Sequence, residues 1–331
     1  MSRRRRSRSR SSTPAHKASA PVRFLRLVVG LLVLALVAWA VLAALTGDRF
    51  TVARLGIYIA PHLMLAGAGL AVLAVLLRAW VSAAGAALVA GGLFALFAPQ
   101  VLRGAPDPAT LQGEGVITVL THSVRGADAE AFLRAHPADI IALQEVGDAE
   151  GLIARLGDLY GEAPLHHCLA GREMLLSRYP VASPEPKAAP SQLFCEVTLP
   201  GGPVLAASLH MPKVRFGSTA GQIAAFESLA ARIDAEIRPI ILAGDFNTTP
   251  LTAPYRILAS RLVNGFAVAG QGLGASFPTP SRPVLGLAGG FLAIDHVFVG
   301  MPFEVLDTAV LSDYAPGADH FPVRAVLAHR P

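Results

Sequence analysis

Ile241-Leu-Ala-Gly-Asp-Phe-Asn247 is an apolar run of strand length that delivers an acid and an amide, two residues apart, to its C-terminal lip. Side chains alternate faces along a strand, so Asp245 and Asn247 point the same way for as long as the extended geometry persists. Gly244 has no Cβ and permits close approach of a second backbone or a ligand. A carboxylate and a carboxamide at a strand end can orient a water and bind a phosphoryl oxygen. The same string also reads as a strand running into an Asx-turn, and taken alone it leaves both readings open.

Outward from this stretch, polar residues recur at the ends of other apolar strands. Asp139-Ile-Ile-Ala-Leu-Gln-Glu145 ends on Gln144-Glu145, and Val204-Leu-Ala-Ala-Ser-Leu-His210 ends on a histidine. Ile294-Asp295 opens a strand with an acid, and Asp319-His320 stands just before the last strand. Each alone has an ordinary explanation: a solvated edge carboxylate, or a histidine satisfied in the core. Five such sites in one domain are a pattern. Strands are expected over 115–121, 140–144, 174–177, 193–199, 204–210, 240–243, 294–299 and 325–329, with helices over 127–135, 149–156 and 218–237. Strand–helix alternation mixed with hairpin-like pairs predicts a layered α/β fold with mixed sheets.

The set resembles the endonuclease/exonuclease/phosphatase superfamily of metal-dependent phosphoesterases. The motifs that carry the resemblance are Leu143-Gln-Glu145, Leu175-Leu-Ser-Arg-Tyr-Pro180, His210, Gly244-Asp-Phe-Asn247, Ile294-Asp295 and Asp319-His320, covering about 116–327. The resemblance implies a four-layer α/β sandwich, two packed mixed sheets flanked by helices, with the active site at one edge. It also implies residue roles. Glu145 is similar to the principal Mg2+ ligand, with Mn2+ as a substitute, and a carboxylate suits a hard cation. Asp319 resembles a further ligand, direct or through water. Asp245 matches the acid that orients and deprotonates the attacking water, and Asn247 a donor to a phosphoryl oxygen. His210 and His320 match stabilisers of the charged transition state, and Asp295 the carboxylate that orients His320. Ser177-Arg-Tyr-Pro180 reads as scaffold. One departure stands out: the first strand reads Val119-Leu-Thr-His-Ser-Val124, with Ser123 where the family carries an asparagine that supports the metal. Ser123 is a shorter, weaker ligand, and its neighbour His122 faces the opposite side of a regular strand.

The first hundred residues differ in kind. Residues 2–23 are a basic Ser/Arg run without apolar periodicity, read as a disordered tail over 1–23. Apolar stretches follow over 24–45, 57–77 and 81–97, predicting a membrane region of three helices at 24–97, a linker at 98–115 and the catalytic domain at 116–331. The first stretch is too long for a signal-peptide core, and two more follow it. Eight Lys/Arg precede residue 24 against two and one in the next loops, so the tail is expected in the cytoplasm. Three crossings then place the domain on the periplasmic or extracellular side of the inner (plasma) membrane. The eighteen-residue linker spans at most ~60 Å, which keeps the domain near the bilayer.

The net charge of +5 divides unevenly. Residues 104–331 carry fifteen Lys/Arg against twenty-two Asp/Glu, a balance of −7, and lack the positive excess of general nucleic-acid binders. Lys213, Arg215 and Arg232 are the candidate exception. Cys168 and Cys195 are expected as two buried thiols; an oxidising compartment would also permit a bridge. Three functions remain open: an endonuclease-like enzyme on nucleic acid, a phosphoesterase on lipid headgroups or inositol phosphates, and a non-catalytic binding module. The lipid bilayer is the expected partner, and no obligate protein partner is inferred.

Overall fold

The computed structural model describes residues 19–185, 191–214, 218–284, 286 and 289–330. Residues 1–18 of the basic tail and Arg215 lie outside the described residues, and 20–23 already belong to the first helix. Four apolar helices lead: α1 (Ala20–Thr46), α2 (Thr51–Tyr58), α3 (Ala60–Leu76) and α4 (Trp80–Val101). With 27 and 22 residues, α1 and α4 reach ~40 and ~33 Å, enough to cross a ~30 Å hydrocarbon core. The stretch expected as one span over 57–77 is broken. α2 and α3 meet at 83°, where Pro61 enters the first turn of α3 without an N–H to give. Among the described residues there are therefore two helices long and apolar enough to span, or three spans if the bent pair counts as one.

The rest runs β1 (Val116–Ser123), α5 (Glu130–Ala135), β2 (Ile140–Gln144), α6 (Ala149–Arg155), β3 (His166–Ala170), β4 (Glu173–Ser177), β5 (Gln192–Leu199), β6 (Gly202–His210), α7 (Ala220–Ala235), β7 (Ile240–Asp245), α8 (Ala253–Ala259), β8 (Val263–Asn264), α9 (Gly265–Ala269), β9 (Asp295–Val299), β10 (Phe303–Val310) and β11 (Val323–His329). These strands form two mixed sheets, in the orders β10-β11-β1-β2-β4-β3 and β5-β6-β7-β9-β8. β3, β8 and β10 escape the sequence reading for local reasons. β3 is an edge strand reading His-His-Cys-Leu-Ala, β8 has two residues, and a register shift between Val305 and Asp307 breaks the alternation of β10.

Alternation along the strands builds the layers. Val119, Ala142, Val204, Ala206, Ile241, Ala243, Val297 and Ala325 share one core between the sheets. Leu120, Ile141 and Leu143, one residue out of phase, face α5 and α6, while Leu205, Leu242 and Phe298 face α7 and α8. The four-layer α/β sandwich follows. The two cysteines are not free thiols as expected: Cys168 of β3 and Cys195 of β5 form a disulfide that ties the outer strand of one sheet to that of the other. The reason is the stacking of these edges, which brings the Cα atoms to 6.7 Å. Closing a loop across this sequence separation of 27 is worth about 3.5 kcal/mol in the chain-entropy account.

The sandwich does not hang on a free linker. Leu251 and Leu273 pack against the helix cluster of Leu36, Met64, Val89, Leu93 and Phe97. Asp48 accepts a hydrogen bond from the Ala253 N–H at 2.9 Å, and Arg103 donates to the Gly270 carbonyl at 2.6 Å.

Candidate active site

Two strand–helix–strand units set the geometry. β1 and β2 run parallel through α5, as do β6 and β7 through α7, so four strand C-termini meet at one edge. Ser123 lies opposite Gln144 in register, His210 opposite Asp245, and Asp245 opposite Asp295 of the antiparallel β9. Asp319 and His320 immediately precede β11, which pairs with β1 at this same edge. Because Asp245, Asp295, His210 and Ser123 continue the phase of the inter-sheet residues, they converge. Gly244 serves close approach: a Cβ there would fall onto the Leu209 carbonyl of β6.

The structure links these residues in a chain of carboxylates and imidazoles. His210 Nε2 lies 3.7 Å from both Glu145 and Asp245. His320 Nε2 lies 3.9 Å from Asp245 and from Asp319, while its Nδ1 donates to Asp295 Oδ2 at 2.8 Å. Asp245 is fully buried, as are Asp295, Asp319 and His320 but for a few per cent; Glu145 and His210 form a partly buried rim. Burial pushes the Asp245 carboxyl up to about 7, against the pull of His320. Burial works the other way on His320, yet Asp295 and Asp245 outweigh it and raise the imidazole to about 9. His210 is held below its ordinary value, by burial first, with the Glu145 charge opposing.

Asn247 departs from the extended geometry. The strand ends at Asp245, and Asn247 turns into the left-handed region at φ 49°. Its side chain folds back instead of pointing onward. The backbone N–H donates to Asp245 Oδ1 at 2.8 Å, and Nδ2 donates to Asp245 Oδ2 at 3.0 Å and to the Met211 carbonyl at 2.9 Å. An amide nitrogen has two hydrogens, so both are engaged. The Asx-turn and the site are one object, in which Asn247 fixes the Asp245 carboxylate and keeps no amide hydrogen free for the phosphoryl contact that the resemblance implies.

The donor set fits a hard divalent cation. Asp319 Oδ1, Asp295 Oδ1 and Ser123 Oγ are buried without a hydrogen-bond partner, an expensive state that a cation or its waters would relieve. Among the described residues no hydrogen-bond donor meets the Glu145 carboxylate; its nearest cationic groups are His210 and, at 3.9 Å, Arg172. Ligand atoms of Asp245, Asp295 and His320 also lie within 4.8 Å of one another. In that trio His320 Nδ1 is already engaged by Asp295, whereas the carboxylates of Glu145 and Asp319 keep oxygen atoms without a hydrogen-bond donor.

Several neighbours carry no sequence signal. Arg282 binds Asp319 Oδ2 through Nε and Nη2, each at 2.6 Å, and Phe277 lies 4.8 Å from the His320 ring. Both come from the irregular segment before β9. Arg172 donates to the Glu145 carbonyl at 2.8 Å. Gln144 bridges the sheets by donating to Ser208 Oγ at 2.9 Å. His122 faces away from the site as expected: its Nε2 accepts from the Ala315 N–H, and burial holds it down to about 3. Ser177 accepts from the Tyr179 N–H, as a scaffold residue would. Arg232 pairs with Glu185 and lies over the Phe194 ring at 4.0 Å, so it is not a loose cation for a nucleic-acid strand.

A buried acid beside two histidines at the edge of a four-layer sandwich defines a phosphoester hydrolase of the metal-dependent kind. The model of the endonuclease/exonuclease/phosphatase family matches residues 120–320, and the chain belongs to that family. Solved structures share the fold. A family protein from Bacteroides thetaiotaomicron is 18% identical with a TM-score of 0.51, over 65% of this chain and 98% of that one. A 3'-5' exonuclease from Neisseria meningitidis is 17% identical with a TM-score of 0.50, over 63% and 98%. At such identities the likeness is one of fold. No curated protein matches the sequence.

Proposed function

We propose that this chain is a membrane-anchored, divalent-metal-dependent phosphodiesterase. The observation that carries the reading is the Glu145–His210–Asp245–His320 chain, backed by Asp295 and Asp319, at the edge where four strands end. Glu145 and Asp319, with Ser123 in support, would hold Mg2+ or Mn2+. The cation supplies charge neutralisation for the phosphoryl group. Asp245, held by Asn247, is placed to take a proton from an attacking water, and its raised pKa suits a base working near neutrality. His320, kept cationic by Asp295, donates toward charge developing on phosphoryl oxygen, and His210 at the rim supplies a second, adaptable donor.

An endonuclease-like activity on nucleic acid is the first reading of substrate. It draws on the family and on the nuclease fold of the Neisseria exonuclease, against the acidic balance of the domain. A lipid-headgroup or inositol phosphoester is the second, favoured by the seating of the site's loops on the membrane helices. Membrane topology follows the charge argument with the bent α2–α3 pair counted as one span: tail in the cytoplasm, three crossings, catalytic domain outside. The Cys168–Cys195 disulfide supports the oxidising side.

The deciding experiment is a side-by-side panel of DNA, RNA, phospholipid and inositol phosphates on the full-length protein in detergent, with Mg2+, Mn2+ or a chelator. Turnover should need the metal and vanish on chelation. No turnover on any member, with either metal, would reduce the chain to a binding module.

A further inference from the structure

The loop after β7 is held from outside the sandwich. Asn247 is the residue on which the Asp245 carboxylate hangs, and its own carbonyl accepts two hydrogen bonds. One comes from Gln222 Nε2 of α7 at 3.0 Å, the other from the Tyr58 hydroxyl at 2.9 Å, both buried. Tyr58 is the last residue of α2, the short helix that breaks from α3 at 83°. That bend is what turns the end of α2 onto the catalytic edge. Six residues beyond Asn247, the α8 N-terminus gives its Ala253 N–H to Asp48, which joins α1 to α2 and is itself 5% exposed. The segment 247–253 is thus bounded at both ends by side chains of the membrane region.

We infer that Tyr58 is a positioning residue of the active site, contributed by the membrane region, which with Asp48 clamps the loop that aims Asp245. The inference rests on the proposed role of Asp245 as the base. A carbonyl oxygen has two acceptor sites, and Tyr58 fills one of them in a place water does not reach. Asn247 sits in a left-handed conformation, one that asparagine tolerates better than most side-chained residues but that its bonding partners still have to select. Without the hydroxyl, one grip on that conformation is lost. The consequence passes through the two short bonds from Asn247 to Asp245, not through the fold of β7. The membrane region is then a working part of the catalytic machinery as well as an anchor.

The test uses full-length protein in detergent and two readouts. In Tyr58→Phe, amide exchange of 246–253 should quicken about tenfold or more while that of β7 stays as in wild type. On bis(p-nitrophenyl) phosphate with Mn2+, kcat should fall about five- to tenfold, the scale of one hydrogen bond, with KM and the metal half-saturation unchanged. Asp48→Asn should act in the same direction. Trp39→Phe, which removes a bond internal to the membrane region (Trp39 Nε1 to the Ala53 carbonyl, 3.2 Å), should leave kcat alone. Unaltered exchange over 246–253 in Tyr58→Phe overturns the clamp. Quickened exchange with unaltered kcat overturns its link to catalysis. Wild-type protein inert toward every diester is a failure of the proposed function instead, and the exchange measurement then decides the clamp by itself.

Discussion

Glu145 and Asn247 occupy matching places in the two halves of the sandwich, and they are held by different means. Each follows the end of a parallel strand, β2 or β7, and each turns into the left-handed region, at φ 57° and 49°. The Glu145 carbonyl is gripped within its own domain, by Arg172 Nη2 and by the Gly126 N–H at 2.7 Å. The Asn247 carbonyl is gripped partly from the N-terminal apolar helices, by Tyr58 of α2. Strained backbone persists only where neighbours over-determine it. The proposed metal-holding half of the site is therefore self-contained, whereas the water-activating half borrows its rigidity. Anything that disturbs the helices should touch Asp245 before it touches Glu145.

The largest expected effects come from the two halves themselves. Glu145→Ala, Asp245→Ala and His320→Ala should each lower kcat by about a thousandfold or more, the scale of removing one charge-stabilising group, with the far-ultraviolet circular dichroism retained. Appreciable activity in any one of them contradicts the role given to that residue. The comparison itself is broken or upheld by how the losses divide. Glu145→Ala should move the metal titration far to higher concentration, whereas Asp245→Ala should leave metal affinity, measured by isothermal calorimetry, near wild type.

The acid–base pair gives the next effect. Asp245 must be ionised to accept a proton, and its carboxyl is raised to about 7; activity should therefore fall about tenfold per unit as pH drops below that value. His320 must be protonated, and it stays so up to about 9; activity should fall again above it. The kcat profile is a bell between these limbs, and a bound cation moves the acid limb lower by favouring carboxylate. Removing Asp295 takes away the partner that keeps His320 cationic, so Asp295→Asn should pull the alkaline limb down by a unit or more. An alkaline limb that stays in place in Asp295→Asn assigns it to another group.

A subtler contrast separates the supports. Arg172→Ala loosens the Glu145 carbonyl and should weaken metal binding about tenfold at constant kcat, the mirror of the kcat loss expected for Tyr58→Phe. If both variants change the same parameter, the division of labour between the halves is wrong.

The sequence carries one side of this contrast far better than the other. His210, Asp245 and Asp295 are legible because strand periodicity fixes the face of each residue, and the phase set by Ala206, Ala243 and Val297 runs directly into them; Glu145, one residue out of phase with Ala142, is legible from its motif and turns toward the edge at φ 57°. The first-strand anomaly is legible for the same reason: Ser123 faces in and His122 faces out. What holds these residues is not legible. Arg282 sits in an irregular segment with no period from which a direction can be read. Tyr58 is separated from Asn247 by 189 residues and lies in a stretch that reads as uniform membrane helix, because Pro61 is as compatible with a continuous membrane span as with the 83° bend it accompanies. The choice between free thiols and a disulfide is likewise not legible, since spacing along the chain says nothing about the stacking of two edge strands.

The smallest expected effect concerns Ser123. Its hydroxyl is fully buried at the end of β1, level with Gln144 and one residue short of Glu145, and it has no hydrogen-bond partner. A hydroxyl in that state is a weak ligand or a support for a metal-bound water, set back from where a longer side chain would reach. Ser123→Asn extends a carboxamide oxygen from the same Cβ along the same inter-sheet direction. It should lower the Mg2+ half-saturation about threefold and leave kcat within about twofold of wild type, because β1 supports only the self-contained half. The added atoms enter a packed edge beside Thr121 and Gln144, so a drop in melting temperature without tighter binding means the site is already filled to its natural size. An unchanged metal titration with unchanged stability would remove Ser123 from the metal environment and leave Glu145 and Asp319 as its protein ligands.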